Sequence, residues 1–357
     1  MKGRSGSQRI VLNYYEGYQS PLPPGVWWPS FCFRWGLAAS IRQTAGVALK
    51  DLLRTSDLTA ADLAALLDLA AELKADPHQR GDLLGNESVA VYFNKPSTRT
   101  RLSFATAIAR LGGLPQILGP SDLQLDRGET VEDTARVLER MVKAFVIRTF
   151  ADDDVARFAA AATTMPVINA LTDHHHPMQS LADLLTMREI FGSLSGLTVA
   201  YLGDAHNNTT HSLIEGCALA GVHVRVAAPA GFEPTPDVLQ AVAGLPGTVE
   251  VTREASDAVD GVDVVYTDTW MSMGVSHELR HSRTEALQPY QVTAALLEKA
   301  AGHAVFMHDL PAHRGEEMTA EVIDGPRSRI FDQAENRLCT AQAVLVALLE
   351  RRLQGAR

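Results

Sequence analysis

Residues 93–104 read FNKPSTRTRLSF, and five consecutive positions, Ser97 to Arg101, supply three hydroxyls and two guanidinium groups. They follow an apolar run that reads as a strand, and they lead into a helical pattern. Free N–H groups at a helix start attract an anion, and hydroxyls and arginines add to such a site. The glycines and lysine of a P-loop are missing, so the expectation is a phosphate site of another kind. A capped helix start with solvated arginines is the plainer alternative. Arg148 lies inside the apolar VIRTF segment. Burying it unpaired would be costly, and either a structural ion pair or an anion ligand would answer that cost.

Four further stretches carry polar groups in suggestive places. NALTDHHHPMQSLADLL (169–185) holds His174, His175 and His176. Adjacent residues do not converge on one metal, and no HExxH or cysteine spacing accompanies them, so no metal site is expected. His176 and Gln179 stand at a helix entry, where each can bond a carbonyl or amide or simply cap the helix. YLGDAHNNTTHSL (201–213) has the strand, glycine, polar loop and helix of a Rossmann-like turn but no GxGxxG. Asn207 and Asn208 therefore suit a polar ligand better than a nucleotide. YTDTWMSMG (266–274) ends another strand with Asp268, hydroxyls and Gly274. AVFMHDLPAHRG (304–315) ends an apolar run in His308-Asp309-Leu310-Pro311. Open α/β sheets place their chemistry at the carboxyl ends of strands. Asp309 is thus a catalyst, a ligand for a substrate cation, or a polar residue that ends a strand.

The elements that must position these groups alternate regularly from about Leu49 onward. SDLTAADLAALLDLAAELKAD reads as a helix capped by Ser56. Strands are expected at 88–93, 144–150, 165–171 and 197–203, with others in HVRVAAP, VDVVYTDTW and HAVFMHDLP. Helical stretches separate them, and QSLADLLTMREIFG (179–192) reads as strongly amphipathic. Such alternation implies parallel sheets. The expected fold class is α/β, two doubly wound parallel-sheet domains joined by helices. The expected parts are an N-terminal extension at 1–47, a first domain at 48–178, an interdomain helix at 179–192, a second domain at 193–330 and a C-terminal helix at 331–353 returning to the first domain.

The chain has 357 residues, 46% of them hydrophobic, which suffices for two cores. A formal net charge of -10 argues against bulk nucleic-acid or anionic-membrane binding, though not against a local anion pocket. Three scattered cysteines without a CxxC fit a reducing cytosol, and a cytoplasmic location is expected. No apolar run reaches the ~20 residues of a membrane span. The extension holds three of the four tryptophans, and Lys2, Arg4 and Arg9 precede a loosely apolar patch. Pro29 and Arg34 interrupt that patch, so a poorly ordered extension is expected there rather than a signal peptide.

Taken together, residues 49–353 resemble the aspartate/ornithine carbamoyltransferase family, and its ornithine branch in particular. STRTR resembles that family's carbamoyl phosphate loop, HPMQ its HPxQ motif and GDAHNN its GDxxNN element. DTWMSMG carries its SMG loop, HDLPAHRGEE resembles HCLPAHRG, and FDQAENRL carries its C-terminal arginine. The resemblance implies a transferase that moves a carbamoyl group from carbamoyl phosphate to ornithine, giving citrulline, without a cofactor or a metal. Ser97, Thr98, Arg99 and Thr100 would hold the phosphate end of the donor. Arg148, His176, Gln179 and Arg337 would hold its carbamoyl end and leaving oxygens, with Thr100, Arg148 and His176 stabilising the oxyanion. Asn208, Asp268, Ser272 and Met273 would bind the amino-acid head group, with Asp309 and Leu310 near the reacting amine. It also implies arginine biosynthesis and a homotrimer with shared sites.

Asp309 is the chief departure, because the ornithine branch carries cysteine there. A carboxylate at that point would pair with the acceptor's ammonium, act as a base, select another diamino acid, or be tolerated. Leu114 and Thr209-Thr210 are smaller departures that bear on fine specificity. Another amine acceptor in a specialised pathway and a silent binding or regulatory homologue remain as alternatives. A nucleotide-dependent oxidoreductase is disfavoured by the missing glycine fingerprint.

Overall fold

The computed structural model describes residues 49–271 and 277–355. The expected extension at 1–47 lies outside them, as do Ser272 and Met273. Two parallel sheets form the frame. The first has β1 (Ser88–Phe93), β2 (Leu114–Leu118), β3 (Phe145–Arg148) and β4 (Val167–Leu171) in the order β2-β1-β3-β4. The second has β5 (Thr198–Leu202), β6 (His223–Ala227), β7 (Val249–Thr252), β8 (Val264–Thr267) and β9 (Val305–His308) in the order β7-β6-β5-β8-β9. Every paired neighbour runs parallel.

The helices are α1 (Ala60–Ala75), α2 (Thr98–Arg110), α3 (Val131–Leu138), α4 (Asp152–Ala161), α5 (Pro177–Phe191) and α6 (Asn208–Ala220). After them come α7 (Pro236–Ala241), α8 (Ala255–Val259), α9 (His277–Leu287), α10 (Ala294–Leu297), α11 (Ala320–Ile323) and α12 (Ile330–Gly355).

Strands covered on both faces read as continuous apolar runs because alternate residues enter different cores. Val89 and Val91 of β1 join the cluster of α1, α2, α5 and α12, whereas Ala90 and Tyr92 face α3 and α4. Val199 and Tyr201 of β5 join that same large cluster, and Ala200 and Leu202 pack toward α8 and α11. One core therefore runs beneath both sheets, with α5 and α12 inside it.

Three local expectations need correction. Thr59, not Ser56, caps α1: Thr59 Oγ1 accepts from Asp62 N, and the Asp62 carboxylate accepts from Thr59 N. Ser56 instead bonds Glu215, at 2.9 Å through its hydroxyl. Helix α5 is not amphipathic, since Pro177 to Met187 are buried all round and only its last turn meets solvent. Strands β2 and β7 escaped the sequence reading. Both are edge strands, half exposed, and β2 carries Pro115, which a strand tolerates at an edge.

Candidate functional site

In a doubly wound sheet, the crevice opens where successive connections leave in opposite directions. In the first sheet that point lies between β1 and β3, and in the second between β5 and β8. The residues just beyond those four strands line one cleft of about 450 Å³.

Beyond β1, Ser97 caps α2, its hydroxyl accepting from Thr100 N at 3.2 Å. The first N–H groups of that helix have no intrahelical partner by construction. Thr98, Arg99 and Thr100 line the cleft. Thr100 is buried, and its hydroxyl accepts from Arg337 Nη2 at 2.7 Å, which leaves its own O–H to donate. Lys95 is held by Asp173 and stands 4.3 Å over the Phe150 ring.

Arg148 ends β3 at a register irregularity and is 8% exposed. Its buried Nε–H has no hydrogen-bond partner among the described residues. Burial, with Arg337 and Arg99 adding like charge, pushes its guanidinium down to about 10, and Asp309 opposes that shift. The group stays charged at neutral pH. His176 stands at the N-cap of α5 but makes no side-chain cap, so the capping alternative fails for it. Its backbone N–H donates to Ser212 Oγ at 2.8 Å. Burial, then the three neighbouring arginines, holds the imidazole well below its usual range, so the ring is neutral. The other two histidines turn elsewhere: His174 pairs with Asp237 at 2.9 Å, and His175 lies 3.9 Å from Glu215.

Gln179 does not line the cleft. Its Oε1 accepts from Arg337, and its Nε2 donates to Asp183 Oδ1 at 2.8 Å. Asp183 also accepts from Gln333 at 2.7 Å and from the Tyr266 hydroxyl at 3.3 Å. Gln333 and Arg337 are four residues apart on α12, as are Gln179 and Asp183 on α5, so each pair shares a helix face. This buried network aims Arg337, and the sequence reading missed Asp183, Gln333 and Tyr266. The spacing within QSLAD and QAENR was its only trace.

The second sheet supplies the opposite wall. Beyond β5, Gly203 adopts φ +114° beneath Trp270, and a Cβ there would stand 3.0 Å from Trp270 Nε1. Asn207 caps α6, accepting from Thr210 N at 2.9 Å, while Asn208 faces the cleft and donates to the Thr172 carbonyl. Asp268 follows β8, and burial together with the nearby Asp309 carboxylate pushes its carboxyl up. Asp309 and Leu310 follow β9 and line the cleft. Arg99 donates to the Leu310 carbonyl. His308 Nδ1 accepts from Leu310 N at 2.8 Å, which places its proton on Nε2, facing Glu317 at 3.3 Å.

The structure thus brings Ser97, Thr98, Arg99, Thr100, Arg148, His176, Asn208, Asp268, Asp309, Leu310 and Arg337 to one cleft, with Gln179 directly behind it. Among the described residues, one group has ligand atoms close enough for a metal: His313, Glu316 and Glu317, within 4.8 Å. Glu317 is already engaged there by the His313 N–H at 2.6 Å and by His308. Chemically, one end of the cleft offers guanidinium groups and a helix start to an anion, and the other offers carboxyl groups to an amine.

Comparison with known proteins agrees with that division. The family model "Aspartate/ornithine carbamoyltransferase, carbamoyl-P binding domain" matches residues 50–189. The model "Aspartate/ornithine carbamoyltransferase, Asp/Orn binding domain" matches residues 195–348. An ornithine carbamoyltransferase of Parafrankia sp. (strain EAN1pec) is 52% identical over 315 residues, covering 86% of this chain and 98% of the relative. One from Acidothermus cellulolyticus is 50% identical over 306 residues, covering 85% and 97%. Among solved structures, ornithine carbamoyltransferase from Pyrococcus furiosus superposes with a TM-score of 0.80 at 43% identity, covering 84% of this chain and 97% of that one.

Proposed function

The chain belongs to the aspartate/ornithine carbamoyltransferase family, and from that premise we propose that it transfers the carbamoyl group of carbamoyl phosphate to the side-chain amine of L-ornithine, giving L-citrulline and phosphate. The observation that carries the reading is the two-sided cleft, arginines and a helix start on one wall and carboxyl groups on the other.

In this reading Ser97, Thr98, Arg99 and the N–H groups of α2 take the phosphoryl oxygens. The carbamoyl oxygen faces Thr100, Arg148 and the neutral His176. The free donor on Arg148 Nε supports that placement. Arg337, aimed by Gln179, completes the donor subsite. Asn208, Asp268, Ser272 and Met273 take the amino-acid head group, and Asp309 and Leu310 border the reacting amine. The neutral amine attacks the carbonyl carbon, and charge collects on the carbonyl oxygen. Collapse of that intermediate breaks the bond to the phosphate oxygen. Phosphate leaves and takes up the amine's proton. Preorganised donors around the oxyanion and the juxtaposition of two substrates supply the rate.

Two experiments test the reading. Ureido-product formation is measured from carbamoyl phosphate across ornithine, lysine, 2,4-diaminobutyrate, 2,3-diaminopropionate and putrescine. Ornithine should be used best, and a clear preference for another amine sinks that part. Arg99→Ala should weaken carbamoyl phosphate binding on the order of a hundredfold, since truncating one side of a buried charge contact costs ~2–5 kcal/mol. Unchanged binding would count against the donor subsite.

A second reading, transfer to another diamino acid, is favoured by one observation: Asp309 adds a carboxylate beside Asp268 where the acceptor amine would lie. A third, a silent binding homologue, predicts donor binding without turnover of any amine.

We also propose a homotrimer serving arginine biosynthesis in the cytoplasm. Five of the seven most exposed large apolar side chains among the described residues, Leu102, Leu114, Val137, Met141 and Phe150, belong to the part built on the first sheet. Apolar side chains left exposed on one part of the molecule fit association between copies. No helix among the described residues is long and apolar enough to cross a membrane.

A further inference from the structure

The arginines of the cleft are already engaged by a segment from the opposite wall. Arg337 Nη1 lies 3.5 Å from Asp309 Oδ1, and Thr209 Oγ1 donates to Asp309 Oδ2 at 3.2 Å. Arg99 donates to the carbonyl of the next residue, Leu310. Two consecutive residues beyond β9 thus hold two of the three arginines that line the donor end. Leu310 is at φ +65°, which a leucine rarely adopts, and the bond from its N–H to His308 helps keep it there.

We propose that Asp309 is an internal counter-ion of the donor subsite: its carboxylate occupies Arg337 in competition with the incoming phosphoanion, and donor binding releases it toward the acceptor's ammonium. The inference rests on reading the cleft as a carbamoyl phosphate site. It makes Asp309 a positioning residue that acts through Arg337.

Three observations support it. The Arg337 side chain is 3% exposed and that of Asp309 12%, so solvent and salt screen the pair little. Of the other carboxylates lining the cleft, Asp173 pairs with Lys95 and Asp268 makes no ion pair with these arginines among the described residues, so neither is a substitute. Both Asp309 oxygens already carry a contact, one to Arg337 and one to Thr209, so the carboxylate is held toward the donor subsite. A cysteine at this position would leave Arg337 to the donor without competition.

Titration calorimetry of inorganic phosphate into the full-length protein, at fixed pH and low ionic strength, tests the idea. Wild type is compared with Asp309→Asn, Asp309→Cys and Asp309→Glu, with thermal unfolding to show that each variant is folded. Asn and Cys should each tighten phosphate about tenfold. Glu should not, because the gain follows charge rather than shape. In turnover, Asp309→Asn should lower KM for carbamoyl phosphate and raise it for the acceptor, a split that a structural role alone would not produce. Unchanged or weaker phosphate binding in both Asn and Cys variants, with binding still lost in Arg99→Ala, overturns the counter-ion and leaves the donor subsite standing. Phosphate that binds none of these proteins, wild type included, overturns both.

Discussion

Asp183 touches no substrate in the proposed reaction, yet it anchors the side chains that aim Arg337. Three donors meet its carboxylate in a fully buried setting. Burial outweighs them and pushes its carboxyl up to about 7, from an ordinary 3.8. The folded protein therefore holds this proton more tightly than the unfolded chain does. The contribution favours folding at low pH, fades as pH rises from about 4 to 7, and is gone above that. By linkage it amounts to on the order of 4 kcal/mol at most. Asp183→Asn should flatten the stability profile between pH 4 and 8 in urea titrations, and an unchanged slope would show that another group sets it. At this scale the sequence was informative about the residues that face the cleft and silent about those behind them. Arg99, Arg148 and Asp309 stand out because charge at a strand end is conspicuous. Asp183 and Gln333 look like ordinary polar positions on helices, and only the packing of α5 against α12 reveals their partnership.

Among the elements, α5 and α6 approach closely at Gly216, where an added Cβ would overlap Ser180 Oγ and stand 3.0 Å from Leu184 Cδ1. Alanine favours a helix over glycine by ~1 kcal/mol. Here overpacking should outweigh that gain, so Gly216→Ala should destabilise by about 1–3 kcal/mol in chemical denaturation. A stabilised variant would mean the helices part more easily than their packing suggests. The central strands were legible because both faces are covered, so their runs are unbroken. Edge strands β2 and β7 were not, since solvent permits Pro115, Gln116 and Glu250 within them. Helix α5 misled in the opposite sense. Its polar residues, Gln179, Ser180, Asp183 and Thr186, suggested a wet face, whereas they are buried. Gln179, Asp183 and Thr186 make internal hydrogen bonds there.

For the whole molecule, the proposed trimer predicts a solution mass three times the 38.6 kDa of the chain. Light scattering on the eluting protein measures it, and replacing Leu102 and Met141 with glutamate should lower it. A monomeric wild type at micromolar concentration would contradict the assembly.

The contact between Thr100 and Arg337 joins residues 237 positions apart. During synthesis, a ribosome that has delivered both sheets has not yet delivered Arg337. The nascent chain then carries Arg99 and Arg148 without their third partner, and α1, α2 and α5 without the helix that covers them. Donor binding cannot assist folding at that stage. A stall before α12 would leave an apolar surface for chaperones or proteases to meet, and quality control of this protein should act on its last helix.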